Sequence, residues 1–286
     1  MTLPLASVIV TTDTPPDWLE KTLLGFAVQD RTDFEVLVAD DGSSLETRER
    51  IEGLRHSLPY VLRHVWHPDD GFRKCRILNR AIVHSRSEYL VFTDGDCIPR
   101  RDFIDTHLRL REPGRFLSGG YFKLPMSVSR DIDADDIASN RCFDLRWLRS
   151  RGLQRAARDA KLAARGGAAA LLDAVVPTRA SWNGHNASGW KQDLLAANGF
   201  DERMGYGGQD RELGERLVNA GIRGTRIRHR AVCVHLDHAR GYRTQESIRA
   251  NLAIRAETRG QRLVRTAHGI DAMPPEDVLA PDLLAA

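Results

Sequence analysis

The sequence predicts an α/β fold, with a mostly parallel sheet covered by helices on both faces. Three observations lead there. Through the first hundred residues, short β-branched or aromatic runs alternate with segments of helical periodicity. That β-α-β-α-β-α-β order is what crossover connections of a parallel sheet produce. The runs are also continuously apolar, as strands buried on both faces are. Finally, three of them end in polar, acidic loops, and ligands of such sheets gather at the carboxyl ends of the strands.

Taken in order, Ala6–Val10 is the first strand and ends in Thr11-Thr12-Asp13. Pro15-Pro16 opens a helix that places Trp18, Leu19, Leu23 and Phe26 at helical spacing. Phe34–Ala39 is the second strand, ending in Asp40-Asp41-Gly42-Ser43. Thr47–Leu54 is a helix and Tyr60–Trp66 a third strand. Helix Arg73–Ser85 leads to strand Glu88–Thr93 and the turn Asp94-Gly95-Asp96. Beyond Asp102 the pattern loosens. Leu117–Leu124 reads as a strand kinked at Gly119-Gly120, and Asp131–Ala174 as largely helical and arginine-rich. A helix runs from about Gln209 to Ala220, a strand lies within Arg226–His235, and Gln245–Arg265 is an amphipathic helix. The tail from Ile270, with three prolines, is expected to be loosely held.

Composition narrows the class. With 42% hydrophobic and 28% charged residues, the chain can bury a core and needs no membrane to fold. A net charge of +3 is too small to mark a nucleic-acid binder. The arginines nevertheless crowd into Arg146–Arg165 and Arg223–Arg265. Four cysteines lie far apart without a C-x-x-C pair, so neither a disulfide framework nor a zinc site is expected, and a reducing cytoplasm is the expected compartment. The first residues lack a signal-peptide pattern, and no apolar run could span a bilayer. Membrane contact would have to be peripheral, at the inner face of the cell membrane. The basic stretch Leu145–Ala164 offers itself either as a helix resting on anionic lipid or as a solvated insertion.

Two carboxylates one residue apart at a strand end suit a hard divalent cation, Mn²⁺ or Mg²⁺, that also holds phosphate oxygens. Gly95 between them allows close backbone approach. A lone D-x-D is weak evidence: Asp131-Ile132-Asp133 and Asp133-Ala134-Asp135 repeat it in what reads as a solvated helix start. Asp94-Gly95-Asp96 differs because it closes an apolar strand, YLVFT, in the fourth unit of the sheet.

The stretch SVIVTT…VLVADDGSS…GFRKCRILNRAI…YLVFTDGDCIP resembles the nucleotide-sugar half of family 2 glycosyltransferases with the GT-A fold. A second stretch, NASGWKQDLLAANGFDERMGYGGQDRELGERL, resembles a carboxyl-terminal segment shared by β-1,4-galactosyltransferases and bacterial chondroitin-type polymerases. Together they run from about residue 6 to 240. The resemblance implies a nucleotide-sugar-binding half over 1–110 and an acceptor-binding and catalytic half over 111–240, with a helical insertion at about 131–174. A carboxyl-terminal helix and tail would occupy 241–286.

Position by position, the resemblance implies that Thr11, Asp13, Asp41 and Asp40 border the nucleobase. The donor site would also include Arg73, Lys74 and Asn79. The family's base-contacting arginine falls on Lys74, which cannot reproduce the bidentate fork of arginine. Asp94, with Gly95, would face the ribose, and Asp96 the metal. A histidine at the end of the last strand is the expected further ligand, His235 before His238, while His229 reads as an ordinary surface residue.

Asp210, in Gly205-Tyr206-Gly207-Gly208-Gln209-Asp210, is the candidate base that takes the acceptor's proton. Its place at a helix N-terminus favours the ionised form, although the same place would suit a simple N-cap. Tyr206 offers a flat face for a sugar, Gly207 and Gly208 leave room for it, and Gln209 stands where the family carries glutamate. Asn186 and Ser188 match an Asn-x-Ser segment near the donor sugar, or serve as a satisfied polar pair in a loop.

The expected activity is inverting, metal-dependent transfer of a hexose or N-acetylhexosamine from a UDP-sugar, such as UDP-Gal, UDP-Glc or an N-acetyl analogue. The acceptor would be a glycan or lipid-linked glycan of the bacterial surface. Two readings compete: nucleotidyl transfer on a similar scaffold, and a catalytically degenerate sugar-nucleotide or glycan-binding protein.

Overall fold

The computed structural model describes residues 3–13, 15–238, 244–275 and 277. In chain order its elements are β1 (Ala6–Thr12), α1 (Pro16–Ala27), β2 (Phe34–Asp40), α2 (Leu45–Arg55), β3 (Val61–Trp66), α3 (Lys74–His84), β4 (Tyr89–Asp94), β5 (Cys97–Pro99) and α4 (Phe103–Leu110). There follow β6 (Arg115–Ser118), β7 (Gly120–Lys123), α5 (Met126–Asp131), α6 (Ala134–Ala138), α7 (Leu145–Ser150), α8 (Ala160–Ala163) and α9 (Gly166–Val175). The chain continues with β8 (Ala187–Trp190), α10 (Lys191–Ala196), α11 (Gln209–Asn219), β9 (Arg223–Arg226), β10 (Val232–His235) and α12 (Gln245–Gly260).

Seven strands form one sheet in the order β3-β2-β1-β4-β8-β6-β9. β1, β2, β3 and β4 are mutually parallel, and β8 runs antiparallel to both β4 and β6. Every residue of β1 and β2 is buried, including the polar Ser7 and Glu35, and Ser7 Oγ donates to Glu35 at 2.6 Å. Alternate residues serve opposite faces. Val8, Val10, Val36 and Val38 pack with Leu19, Leu23 and Phe26 of α1. Ile9, Leu37, Ala39 and Phe92 pack with Ile77, Leu78 and Ala81 of α3. Truncating a fully buried ring such as Phe92 to alanine is expected to cost about 3–5 kcal/mol.

Parallel register then aligns the strand ends. Thr12 pairs with Asp40, and Thr11 with Asp94. The chain leaves β1 toward β2 on one side while β4 lies on the other, so the acidic loops meet at a topological switch point. A second sheet, β5-β10-β7, continues from the acidic turn. Its antiparallel register places His235 opposite Cys97, and Leu236 N–H donates to the Asp96 carbonyl at 2.9 Å. Residues some 140 positions apart are thereby fixed beside one another.

Helix α11 is held by a buried ion pair. Arg216 reaches Glu212 at 2.8 Å and donates to the Gly199 carbonyl at 2.7 Å and to that of Ala197. Thr258 of α12 donates to the same glutamate at 2.8 Å. Removing one partner would strand a buried charge, at a cost of about 3–5 kcal/mol.

Several expectations need correction. The stretch Leu145–Ala164 is not one basic helix. After α7, Gly152 takes φ +98°, and Leu153 N–H turns back to the Leu148 carbonyl at 3.0 Å, a left-handed helix stop. Some of its basic groups are tied to the protein, since Arg149 pairs with Asp159 at 2.8 Å, Arg158 lies over Phe122 and Lys161 donates to the Tyr121 carbonyl, while Arg146, Arg151 and Arg155 are exposed. The whole 131–174 region is short helices and turns covering the second sheet through Ile132, Ile137, Phe143, Leu148 and Leu162. The run Leu117–Leu124 divides at its glycine kink into strands of two different sheets. The strand expected within Arg226–His235 is β10, Val232–His235, while Arg226 closes β9. His229 is buried, with Nδ1 3.0 Å from Asp173. The tail packs rather than dangles as far as it is described: Met273 is buried, and Asp277 pairs with Arg76 and Arg80. All four cysteines are buried and unpaired. Among the described residues, no helix is long and apolar enough to cross a membrane.

Candidate active site

Asp94 and Asp96 leave the end of β4 in different directions. Lys74, on the first turn of α3, places Nζ 2.6 Å from Asp94 Oδ1, and Thr11 Oγ1 donates to the same oxygen at 3.1 Å. Burial pushes the Asp94 carboxyl up, but the Lys74 ammonium outweighs it and holds the group below the usual carboxylate range. Burial likewise opposes the charge on Lys74, yet Asp94 and Asp210 overcome it and keep the ammonium charged.

Asp96 turns toward β10. Its Oδ2 lies 2.9 Å from His238 Nε2 and 3.7 Å from His235 Nε2, and the two imidazoles stack with centroids 5.6 Å apart. His235 Nδ1 is 2.7 Å from the Leu236 carbonyl. A carbonyl only accepts, so Nδ1 carries the proton and the Nε2 lone pair is directed at Asp96. One carboxylate oxygen and two imidazole nitrogens thus converge within 4.8 Å. This donor set fits Mn²⁺ and, with fewer oxygens than it prefers, Mg²⁺. His235 and His238 both belong to the cluster, so the structure does not choose between them.

Gly95 serves the protein rather than a ligand. Its N–H donates to the Thr11 carbonyl at 2.6 Å, and a β-carbon there would stand 3.1 Å from Thr11 and Thr12. Asp41 braces the neighbouring loop, accepting from Arg73 N–H at 3.0 Å and meeting His67 Nε2 at 2.7 Å. Asp13 stands exposed at the end of β1, close enough to Lys74, Asp41, Asp94 and His238 to feel their charges.

Asp210 arrives from the other half of the chain. Gly207 and Gly208 take φ +107° and +92°, which L side chains rarely adopt, and Gly208 caps α11. Asp210 is therefore the second residue of the helix and not its cap. Its carboxylate faces Gly184, where a β-carbon would come within 3.0 Å of Oδ1. Oδ1 is shielded from solvent with no hydrogen-bond partner among the described residues. Burial raises the Asp210 carboxyl to about 6, Lys74 opposes the rise, and Asp94 adds to it. Desolvation thus outweighs the helix dipole expected to favour the ionised form.

Other expected site residues lie elsewhere. Asn79 is fully buried, bonded to both backbone groups of Phe200 and to Glu202 at 2.7–3.0 Å. Asn186 is equally buried, spanning the carbonyls of Gly120 and Ala231 and meeting His107. Ser188 joins Tyr89 and His107 at 2.7 Å each. Asp40 is buried between His64 at 2.8 Å and Ser43 N–H at 2.8 Å. These four hold the framework and turn no free group to the cleft. Arg73 points to the Pro68 carbonyl and Asp70. Gln209 is buried and accepts from Gly207 N–H at 3.0 Å, within its own loop. Tyr206 stays half-buried, its ring edge-on to Phe72 at 5.7 Å.

His185 was missed. Burial lowers its imidazole to about 4, and it feels the charges of Asp94 and His235 and packs edge-on to Tyr121 at 4.5 Å. It stands in the turn before β8, where strand alternation does not apply, so no local pattern could have flagged it. Also unforeseen, α12 straps the glycine loop. Asn251 Nδ2 donates to the carbonyls of Gly205 and Gly207 at 2.9 and 2.8 Å, and Ser247 donates to that of Tyr206 at 3.1 Å.

The order of the strand ends is matched by a family pattern: the model for glycosyl transferase family 2 covers residues 7–118. The match joins this stretch by likeness to the family 2 glycosyltransferases. An uncharacterised glycosyltransferase of Bacillus subtilis, YfnE, is 24% identical over 87% of this chain and 69% of its own length. Among solved structures, the mannosyltransferase PcManGT of Pyrobaculum calidifontis, in complex with GDP-Man and Mn²⁺, matches at TM-score 0.54 and 20% identity. That match covers 84% of this chain and 59% of the mannosyltransferase, so the present chain spans well under two thirds of it. S. aureus TarS 1–349 in complex with UDP-GlcNAc matches at TM-score 0.56 and 14% identity, over 90% of this chain and 69% of that one. At these identities the likeness establishes the GT-A glycosyltransferase fold.

Proposed function

We propose that this chain is an inverting glycosyltransferase that moves a sugar from a nucleotide-sugar donor, a UDP-sugar by the resemblance of its motifs, to an acceptor hydroxyl. One observation carries the reading. Asp210, from a glycine loop over a hundred residues beyond the acidic turn, shares the field of Lys74 with Asp94. A carboxylate raised to about 6, with one shielded oxygen that has no hydrogen-bond partner among the described residues, is suited to accept a proton near neutral pH.

In the proposed reaction Asp210 takes the proton from the acceptor hydroxyl as that oxygen forms its bond to the anomeric carbon. The bond from that carbon to the leaving diphosphate oxygen breaks on the opposite face, and the configuration inverts. Asp96, His235 and His238 would hold Mn²⁺ or Mg²⁺, which when bound neutralises charge on the leaving diphosphate. Thr11, Lys74 and Asp94 would border the donor, with Asp94 on the ribose and Asp13 and Asp41 toward the base. Tyr206 would offer the acceptor sugar its exposed face. A hexose or N-acetylhexosamine, a β-linkage and a role in bacterial surface glycans fit the resemblance of the second segment. The complexes of the mannosyltransferase with GDP-Man and Mn²⁺, and of TarS with UDP-GlcNAc, support the donor class and the use of a metal.

The test is a panel of UDP- and GDP-sugars assayed for nucleotide release with Mn²⁺, with Mg²⁺ and with EDTA. Release from one or two donors that stops in EDTA is expected. Full release in EDTA would remove the metal from the proposal, and pyrophosphate as product would replace glycosyl by nucleotidyl transfer.

A further inference from the structure

Beside Asp210 runs a groove that the reaction above does not use. It occupies about 430 Å³ along one face of α11, where Arg211, Gly214, Glu215, Val218 and Asn219 follow at helical spacing. Arg179 and Arg228 face it from the loops before β8 and β10, and Arg255 and Arg259 from α12. Five guanidinium groups thus meet one carboxylate. Glu215 is already shared, lying 2.6 Å from Arg255 and 3.4 Å from Arg259. Arg179, Arg211 and Arg228 have no ion pair or side-chain hydrogen bond among the described residues.

Five like charges around one cavity repel one another and destabilise the empty groove. An anion would relieve this, and the planar guanidinium fork pairs bidentately with phosphate oxygens, whose higher charge suits several guanidinium groups at once. Location decides which phosphate. None of Thr11, Asp41, Lys74 or Asp94 lines the groove, so it is separate from the donor cleft. Its near end is Arg211, the residue after Asp210, and Arg255 lies 3.3 Å from where a β-carbon of Gly208 would stand.

We infer that the groove binds a phosphate group carried by the acceptor, so that the acceptor is a phosphorylated glycan. This inference rests on the glycosyltransferase reading and deepens it by naming the acceptor class. Two sources share that chemistry: a diphosphate joining a glycan to a lipid, and a phosphodiester within the glycan chain.

Calorimetric titration of the full chain tests it, with UDP and Mn²⁺ saturating and Mn²⁺ in excess over all phosphate. The probes are decyl diphosphate below its micelle concentration, a glycerol-phosphate trimer, and decyl β-glucoside as the uncharged control. At least one phosphate probe is expected to bind saturably, and the tighter of the two identifies the source. Binding should weaken at least tenfold in the Arg179→Gln/Arg211→Gln/Arg228→Gln variant, and measurably in Arg228→Gln alone if the triple variant misfolds. UDP affinity, which also reports folding, should stay within twofold. Absence of phosphate binding in the presence of saturating UDP, or equal binding by wild type and variants, would overturn the inference. Failure of wild type to bind UDP while the phosphate probes still bind would instead count against the donor reading alone.

Discussion

The two halves of the candidate site are built by different means. The donor side is made of strand ends, so its geometry follows from sheet register: once Thr11 pairs with Asp94 and Thr12 with Asp40, the acidic loops have nowhere else to go. The acceptor side is a glycine loop and a helix N-terminus. It is held from outside by Asn251 and Ser247 of α12 and by the buried Arg216–Glu212 pair. On the proposed reading, a rigid sheet would preset charges for a diphosphate, whereas a strapped loop could change its acceptor without disturbing the core. The comparison teaches that carboxylates in one cleft differ by environment. Lys74 keeps Asp94 ionised, while burial lifts Asp210 toward neutrality.

The comparison can be broken most forcefully at the metal cluster. Asp96→Ala is expected to reduce metal-dependent nucleotide release to background and to abolish Mn²⁺ binding, as followed by electron paramagnetic resonance. Retention of both would detach Asp96 from the site.

A smaller effect comes from pH. A base with its carboxyl at about 6 is protonated below that value, so kcat/KM should fall about tenfold per unit below pH 6 and level off above it. The sign for stability is opposite. The folded state holds this proton more tightly than the unfolded chain, whose carboxyl titrates near 3.8, so ionised Asp210 destabilises the fold above about pH 6 and the penalty is gone below 3.8. Asp210→Asn should accordingly gain Tm over wild type at pH 8, with the gain shrinking as pH falls toward 4. A constant difference across that range would contradict the raised value.

The smallest effect on chemistry is expected at the framework residues. Asn186→Ala strands two buried carbonyls, those of Gly120 and Ala231, and should lower stability by about 1–3 kcal/mol in denaturant titration. The donor KM should stay within threefold at a temperature where the variant is folded. A selective rise in KM would return Asn186 to the donor site.

How much of this was legible in the sequence follows the same division. The parallel strands and their acidic ends could be read from apolar runs and the polar residues that stop them, whereas the expectations for Asp96 and His235 came from the family resemblance. Asn79, Asp40, Asn186 and Ser188 could not be told from site residues, because a polar side chain in a motif looks the same whether it meets a ligand or a buried backbone. Only the burial of all four, with their bonds already made, separates the cases. The basic helix failed for a related reason. Apolar spacing continued through Leu148 and Leu153, but Gly152 reversed the chain between them. His185 and the strap from α12 depend on contacts between distant segments, which no local pattern records.

The account stands most directly on Asp210→Asn, measured for donor binding and for transfer in the same preparation. Binding of the donor within twofold of wild type, with kcat for transfer lowered by about 10²–10⁴, is the predicted result. Transfer at the wild-type rate would remove Asp210 as the base and leave the two halves of the cleft without a chemical link.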